Sequence, residues 1–212
     1  MIIALFSGGK DSMYSIIKAI EMNIYIDKLL FIKPSFQHPS PHEFNIRIVI
    51  ELAKDMRLPI YFVKLNRGSE IEDLASKLIE LKASALIAGD GLLREHLEWY
   101  ERVCRRAGID LIEPLFRFKT DKLLLEMIEN GLEWTIIAVK NLPERFLGLR
   151  ICSKNVLEFL KFCKSNEIDP LGEYGEYHTI VNKSPLIRDR SYEIVKIVSK
   201  GDYEKIAIIK EV

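Results

Sequence analysis

The 212-residue sequence has few cysteines, no excess of either charge and no long apolar run. Its three cysteines, Cys104, Cys152 and Cys163, form no Cys-x-x-Cys pair, which argues against a disulfide framework, a zinc ribbon or a dithiol redox motif. Apolar runs are far shorter than a membrane span. The first run ends at Phe6 and no basic segment precedes it, so no signal peptide is predicted. We therefore expect a cytoplasmic protein with reduced thiols.

The balance of charge limits the possible partners. Lysine plus arginine and aspartate plus glutamate both number 31, which gives a formal net charge of zero. Binding to nucleic acid through bulk charge is therefore not expected. A local basic patch at Arg102, Arg105 and Arg106 stays open as a contact surface.

Two common nucleotide-binding fingerprints are also missing. The sequence contains neither G-x-x-x-x-G-K-[ST] nor G-x-G-x-x-G, which excludes the usual P-loop and leaves a dinucleotide fold without its signature. The sequence does contain a different glycine loop, Ser7 to Ser12, directly after the apolar run Ile2 to Phe6. Strand, glycine loop and helix are thus predicted in the order that phosphate binding requires.

Each residue of this loop suits an anionic ligand. Gly8 and Gly9 allow positive φ and close approach of backbone amides, and the new helix adds its positive end. Lys10 offers a mobile positive charge, and Asp11 can cap the helix or face a magnesium ion carried by a nucleotide. Two hydroxyls, from Ser7 and Ser12, complete the set. The alternative is an ordinary Gly-Gly turn capped by Asp11.

Apolar segments rich in β-branched residues alternate with amphipathic segments over the first two thirds of the chain. Strands are predicted at residues 2–6, 27–33, 60–65, 84–88, 109–112 and 134–139, and helices near residues 11–22, 43–57, 69–82, 94–107 and 120–130. Continuous hydrophobicity at 29–32 and 136–139 is typical of strands covered on both faces. The pattern predicts a doubly wound α/β fold, with a mostly parallel sheet between helices.

The last third of the chain has a different pattern. After a predicted helix at 155–165, strands are predicted at 177–182, 192–199 and 203–210, with Lys200-Gly201-Asp202 as a hairpin turn. We therefore predict a phosphate-binding α/β domain at residues 1–150 and, at residues 151–212, a helix with a small, mostly antiparallel β lobe. A cleft between two such parts is a favoured place for a site.

A proline-rich loop at residues 34–42 follows the second predicted strand. Loops at the carboxyl ends of strands line the ligand crevice of doubly wound folds. His38 and His42 are therefore candidates for that crevice, and a rigid surface connection is the alternative.

A second unusual string runs from Gly172 to Thr179 and holds two glycines, two carboxylates and a histidine. Strand alternation from Glu176 places Glu176 and His178 on one face, and Tyr177 and Thr179 on the other. A carboxylate beside an imidazole can orient it, raise its basicity or hold an ammonium ion. A polar turn that enters an edge strand explains the same composition.

Together the two strings resemble those of the diphthine–ammonia ligase family, within the PP-loop, or N-type, ATP pyrophosphatases. That family carries Ser-Gly-Gly-Lys-Asp-Ser at its N-terminus and a later Gly-Glu-x-Gly-Glu-Tyr/Phe-x-Thr string. Shorter similarities lie at His42 to Asn45, at Gly89-Asp90 and at Glu113 to Phe116. His178 stands where a glutamate is usual in the diphthine branch. The resemblance implies a fold like the adenine nucleotide alpha hydrolases, of HUP type.

The resemblance also implies a reaction. ATP is cleaved between its α and β phosphates with Mg²⁺ as the metal, and a carboxylate is adenylated and then amidated by ammonia. The implied acceptor is diphthine on translation elongation factor 2, a protein partner, and we allow for a homodimer. ATP contacts are implied at Ser7, Gly8, Gly9, Lys10, Asp11, Ser12, Phe31, Ile32 and Gly89. Catalytic roles are implied at Lys10, Asp11, Glu173, Glu176 and His178, metal binding at Asp11, and acceptor contacts at His42, Tyr177 and Thr179.

Other functions remain compatible with the same residues. A related ATP pyrophosphatase can amidate a different, small-molecule carboxylate, an alternative that His178 supports. A PP-loop enzyme can modify tRNA, although neutral charge and the lack of Cys-x-x-Cys disfavour this. A non-catalytic ATP-binding module is the last alternative, and the intact Lys10 and Asp11 argue against it.

Overall fold

The computed structural model describes residues 1–35, 39–89, 93–200 and 203–212. The strands are β1 (Ile2–Leu5), β2 (Lys28–Pro34), β3 (Ile60–Leu65), β4 (Ala85–Ile87), β5 (Asp110–Ile112), β6 (Glu133–Val139), β7 (Arg150–Ile151), β8 (Tyr177–Lys183), β9 (Tyr192–Lys200) and β10 (Tyr203–Glu211). The α-helices are α1 (Lys10–Glu21), α2 (Pro41–Phe44), α3 (Ile46–Asp55), α4 (Glu70–Glu80), α5 (Arg94–Ala107), α6 (Thr120–Glu129) and α7 (Val156–Ser165). A 3₁₀ turn covers Glu144–Phe146.

The first sheet is parallel and has the strand order β3-β2-β1-β4-β5. Successive residues of β1 point to opposite faces: Ala4 joins the core cluster that includes α1 and α3, whereas Ile3 and Leu5 join the cluster that includes α4 and α5. Helices therefore cover both faces, and the predicted doubly wound α/β fold is confirmed. Because β2 and β4 flank β1 on opposite sides, the chain changes direction there and opens a crevice at the carboxyl ends of these strands.

The second sheet is antiparallel, with β6 between β8 on one side and β7 and β10 on the other, and with β9 beyond β10. The expectation that residues 134–139 extend the parallel sheet is wrong, because β6 starts this second sheet. The boundary predicted between residues 150 and 151 therefore lies within β7, a strand of this second sheet. An uninterrupted apolar run reports burial on both faces and carries no information about which strand pairs with it.

Asn45 divides the helix predicted at residues 43–57. A capping box between Ser40 and Glu43 starts α2, and Asn45 separates α2 from α3. The Asn45 amide donates to the carbonyls of Pro41 and Ala207 at 2.9 Å and accepts from the Ile209 amide at 2.9 Å. This buried side chain therefore fixes α2 against β10.

Further polar contacts join the helices and loops around the first sheet to the second sheet. The buried Arg190 guanidinium binds the carboxylates of Asp55 at the end of α3 and of Glu211 on β10. The Val181 amide on β8 donates to the carbonyl of Gly8 at 3.0 Å, so the glycine loop is tied directly to the second sheet.

Some sequence expectations cannot be compared with the structure. The described residues do not include residues 36–37 and His38 of the proline-rich loop, Asp90 of the Gly-Asp pair, or Gly201-Asp202 of the hairpin turn.

No helix in the described part of the chain combines the length and apolar character needed to cross a lipid bilayer.

Candidate active site

A cleft of about 920 Å³ lies at the carboxyl ends of β1, β2 and β4, and the chain around the start of β8 forms its opposite wall. Its size lies within the range typical of small-molecule sites. The predicted site residues that line it are Ser7, Gly9, Lys10, Asp11, Ser12, Phe31, Ile32, His42, Gly89, Glu173, Tyr177, His178 and Thr179. Gly8 and Glu176 lie behind this lining.

The glycine loop forms the floor of the cleft and leads into α1. Gly8 has φ +80°, and a Cβ at this position would meet Val49, Leu52 and Ile180 at 3.2–3.3 Å, which explains the glycine. The loop is braced by its own hydroxyls: the Gly9 amide donates to Ser7 Oγ at 3.3 Å, and Ser12 Oγ donates to the Gly9 carbonyl at 3.0 Å. The open N-terminus of α1 thus faces the cleft, where it favours an anion.

Asp11 does not cap α1. The helix begins at Lys10 with Gly9 as its N-cap, and no side chain bonds to that cap. Asp11 instead lies within the first turn, with its side chain 34% exposed and its Oδ2 2.8 Å from Lys10 Nζ. Its carboxylate is therefore present at the positive end of the helix and at the cleft surface.

Lys10 is fixed, and the expectation of a mobile positive charge is wrong. Its residue is only 2% exposed. Besides Asp11, its Nζ donates to the carbonyl of Leu171 and lies 5.1 Å from the ring centroid of Tyr177. Its backbone amide donates to Thr179 Oγ1 at 3.1 Å. Lys10 therefore joins the glycine loop to the Gly172–Thr179 string.

Gly89 follows β4 and packs against the first turn of α1. A Cβ on Gly89 would lie 2.9 Å from the carbonyl oxygen of Asp11 and 3.2 Å from Cα of Ser12. These are backbone atoms and cannot rotate away. Glycine at this position therefore lets the end of β4 pack closely against the glycine loop and the first turn of α1.

Glu176 precedes β8, and its side chain turns into the loop before the strand. Its Oε1 accepts from the Asp169 amide at 3.2 Å and its Oε2 accepts from the Tyr174 amide at 3.0 Å. The residue is buried. Glu176 and His178 therefore do not share a strand face as the alternation predicted, and the Glu176 carboxylate shapes the loop that carries Glu173.

Tyr177 and Thr179 line the cleft, although both residues are almost completely buried. The Tyr177 hydroxyl donates to the carbonyl of Pro170 at 2.6 Å, and burial raises the Tyr177 pKa well above its usual value. Gly172, at φ +74°, packs so closely on this ring that a Cβ would lie 2.9 Å from it. Tyr177 and Lys10 thus form a contact between the Gly172–Thr179 string and the glycine loop.

His42 and His178 meet edge to face, with ring centroids 5.3 Å apart and an interplanar angle of 86°. His42 is carried by α2, and His178 lies opposite Ala138 in the β8–β6 pair. Within the described part of the chain, the buried Nδ1 of His42 has no hydrogen-bond partner. Two imidazoles therefore stand together at the wall of the cleft, a proximity that their separation in sequence did not reveal.

Burial keeps both imidazoles neutral. Desolvation lowers the pKa of His42 to about 4, repulsion from Lys10 acts in the same direction, and a hydrogen bond with the Ser7 backbone opposes them. Desolvation, His42 and Lys10 lower the pKa of His178 well below its usual value. Neutral imidazoles offer lone pairs to N–H donors such as ammonium.

Sequence reasoning missed one wall of the cleft. Leu93, the N-cap of α5, and His96 and Tyr100 on α5 line it, and their i, i+3, i+7 spacing places them on one side of the helix. That spacing was available in the sequence, but it is also the spacing of an ordinary core-facing helix. Leu171 contributes through its carbonyl, for which a sequence carries no signal.

Comparisons with known proteins cover nearly the whole chain. The family described as diphthamide synthase N-terminal domain matches residues 1–111, and that described as diphthamide synthase C-terminal domain matches residues 119–210. The diphthine–ammonia ligase of Rattus norvegicus is 27% identical, over 88% of this chain and 80% of that protein. The human enzyme of the same name is 26% identical with the same coverage of both chains.

Two further similarities cover a smaller share of the other protein. The diphthine–ammonia ligase of Schizosaccharomyces pombe is 26% identical over 89% of this chain and 35% of that protein. Among solved structures, the U34-tRNA thiolase NcsA from Methanococcus maripaludis with its 4Fe-4S cluster aligns at TM-score 0.39 and 18% identity, over 60% of this chain and 57% of that chain.

Proposed function

Because the chain belongs to the diphthamide synthase family, we propose that it is an ATP-dependent, AMP-forming amide ligase that converts diphthine on translation elongation factor 2 into diphthamide. One observation carries the proposal. The phosphate loop and the Gly172–Thr179 string, the two segments whose chemistry the reaction requires, line one cleft and are hydrogen-bonded to each other through Lys10 and Thr179.

The first step activates the acceptor. A carboxylate resists attack because its charge repels nucleophiles and oxide is a poor leaving group. Its oxygen therefore attacks the α phosphorus of ATP, the bond from that phosphorus to the bridging α–β oxygen breaks, and pyrophosphate leaves, which gives the acyl adenylate. The uncapped N-terminus of α1 is a fixed dipole placed to stabilise charge on the departing phosphates.

Mg²⁺ suits the oxygen ligands at this end of the cleft. Asp11 presents a carboxylate at the cleft surface beside the hydroxyl of Ser12. One or two carboxylates together with substrate phosphates are the usual protein setting for this ion. Asp11 would hold the ion, which neutralises charge on the phosphates.

The second step forms the amide. Ammonia attacks the acyl carbon, the C–N bond forms, and AMP leaves with the bonding electrons. Glu173 lies at the cleft surface and can hold ammonium, and the neutral His178 can accept a hydrogen bond from it, while the proton that ammonium must lose passes to solvent. The Glu176 carboxylate, which accepts two backbone amides, positions the Glu173 loop in this proposal.

The test combines purified protein, ATP, Mg²⁺, isotopically labelled ammonium and elongation factor 2 that carries diphthine. We expect AMP and pyrophosphate in equal amounts, and label in the modified histidine by mass spectrometry. Parallel reactions contain the unmodified factor, tRNA or small carboxylic acids. AMP release that depends on tRNA or on a small acid, and not on the diphthine-bearing factor, would contradict the proposal.

A further inference from the structure

A second groove lies on the far side of α5 from the catalytic cleft. It has a volume of about 720 Å³ and runs between the start of α4 and the middle of α5. Trp99, Arg102, Arg105 and Arg106 line its α5 side, and the α4 side includes Glu72. The proposed reaction gives this groove no role.

Its charges are only partly compensated. Arg106 forms two hydrogen bonds to the Glu72 carboxylate, at 2.8 and 2.9 Å. Among the residues that the structure describes, no carboxylate forms an ion pair with Arg102 or Arg105, and both side chains are exposed. Since the chain as a whole has no net charge, this excess is local and can select an acidic partner surface.

The groove is connected to the cleft through α5. Leu93, His96 and Tyr100 face the cleft, whereas Trp99 and the arginines face the groove. Trp99 packs edge to face on Tyr100, with ring centroids 5.0 Å apart. At about 1.5 Å per residue, Arg106 lies only about 9 Å along the helix from Tyr100. A macromolecule whose side chain enters the cleft can therefore contact the groove at the same time.

We propose that this arginine groove is a docking surface for an acidic segment of the protein that carries the acceptor side chain. The inference rests on the proposed function, because a folded protein substrate needs a contact surface larger than one side chain, typically about 800 Å² per partner. A protein fits better than a nucleic acid. Glu70 and Glu72 line the same groove and would repel the uniform negative charge of a phosphodiester backbone. A protein segment can instead place acidic side chains at Arg102 and Arg105 and neutral or basic ones at the glutamates.

The test compares two double substitutions with the same change of charge. The first is Arg102→Glu with Arg105→Glu in the groove. The control is Arg47→Glu with Lys161→Glu on α3 and α7, at exposed positions outside both cavities. Steady-state rates give KM and kcat for the diphthine-bearing factor and KM for ATP, each at low and high salt.

We expect the groove variant to raise KM for the protein acceptor about tenfold at low salt, because like charges then oppose the acidic segment. Its kcat and its KM for ATP should stay at the wild-type values, and the control should resemble the wild type. Added salt should raise KM for the wild type and lower it for the groove variant, because salt screens the attraction in the first and the repulsion in the second. An unchanged KM in the groove variant, or an equal rise in the control, would overturn the proposal.

Direct binding separates this inference from the proposed reaction. Calorimetric titration of the factor into wild-type protein, without ammonium, should show binding that the groove variant weakens even if no turnover occurs. Absence of binding to the wild type would reject the groove as a docking surface. A selective loss of tRNA binding in the groove variant, with acceptor binding unchanged, would reassign the surface to RNA and overturn the proposal.

Discussion

The position of Lys10 predicts that replacing it with methionine weakens the junction between the two parts of the chain. Its ammonium donates to the Asp11 carboxylate and the Leu171 carbonyl and stands over the Tyr177 ring. Hydrogen bonds to charged groups contribute about 1.5–3 kcal/mol each, and a cation over an aromatic ring about 0.5–1 kcal/mol or more. Methionine keeps most of the chain length and removes the charge, so the variant tests the ammonium itself.

Two corrections reduce the expected loss. Asp11 is 34% exposed, so solvent screens its pair with Lys10 and this contact is taken at the value of a surface pair, below about 1 kcal/mol. Removing the ammonium also removes the cost of burying it. We therefore expect Lys10→Met to lower the free energy of unfolding by about 2 kcal/mol, mainly through loss of the contacts with the Leu171 carbonyl and the Tyr177 ring.

Urea denaturation followed by circular dichroism measures this loss, and calorimetric titration measures ATP affinity. Lys54→Met is the matched control, because Lys54 forms an exposed i, i+3 pair with Glu51 and should change stability by less than about 0.5 kcal/mol. If Lys10 supports the junction, the loss of stability should exceed the loss of ATP affinity. Unchanged stability together with ATP affinity weaker by about 30-fold or more, equivalent to about 2 kcal/mol, would instead make Lys10 a direct phosphate ligand and refute this reasoning.

Three further variants test the surrounding contacts. Gly89→Ala should weaken ATP binding and lower stability by about 1–3 kcal/mol, because its Cβ would press on the backbone of α1; Gly131→Ala, whose Cβ would meet nothing within 4 Å, should leave ATP affinity unchanged in the same titration. Thr179→Val should raise the Kd for ATP several-fold by removing the acceptor of a loop amide, at a cost in stability near 1 kcal/mol. Burial in the folded protein lowers the pKa of His42 from 6.5 to about 4, so between these pH values the unfolded chain binds a proton that the folded chain does not. The free energy of unfolding should therefore decline as pH falls from 6.5 towards 4, by about 1.4 kcal/mol per pH unit. As pH falls from 6.5 to 4, the urea midpoint of His42→Gln should decline less steeply than that of the wild type. Equal slopes for the two proteins would mean that another group, for example His178, causes the pH dependence.

The sequence predicted the elements of the fold more reliably than their arrangement. The strand at 60–65 and the helix at 94–107 have the predicted bounds, because strand and helix periodicity are local properties. The strand at 134–139 was found but assigned to the wrong sheet. Its partners, β8 and β10, lie later in the chain, and hydrophobicity alone does not distinguish a parallel from an antiparallel partner when both faces are buried.

The same limit applies to the site. The place of the Ser7 to Ser12 segment beside the cleft could be predicted because strand end, glycine loop and helix start occur within one segment. The behaviour of Lys10 could not, because it depends on a carbonyl and a ring about 160 residues away. The packing of His42 against His178 likewise depends on α2 and β8 meeting in the fold. Residue type indicated the chemistry, and tertiary packing determined which atoms take part.

The hydrogen bonds between the glycine loop and β8 suggest how the proposed adenylation and amidation steps are linked. Gly8 accepts from Val181, and the backbone amide of Lys10 donates to Thr179, so β8 is bonded to the loop that would hold the phosphates. A shift of the glycine loop on nucleotide binding would therefore act on β8. In the sequence, His178 on this strand lies between the loop that carries Glu173 and the two bonded residues, Thr179 and Val181. We infer that phosphate binding and placement of the ammonia site are mechanically coupled. Thr179→Val removes one of these contacts, so we expect this variant to weaken ATP binding and the acceptor step together.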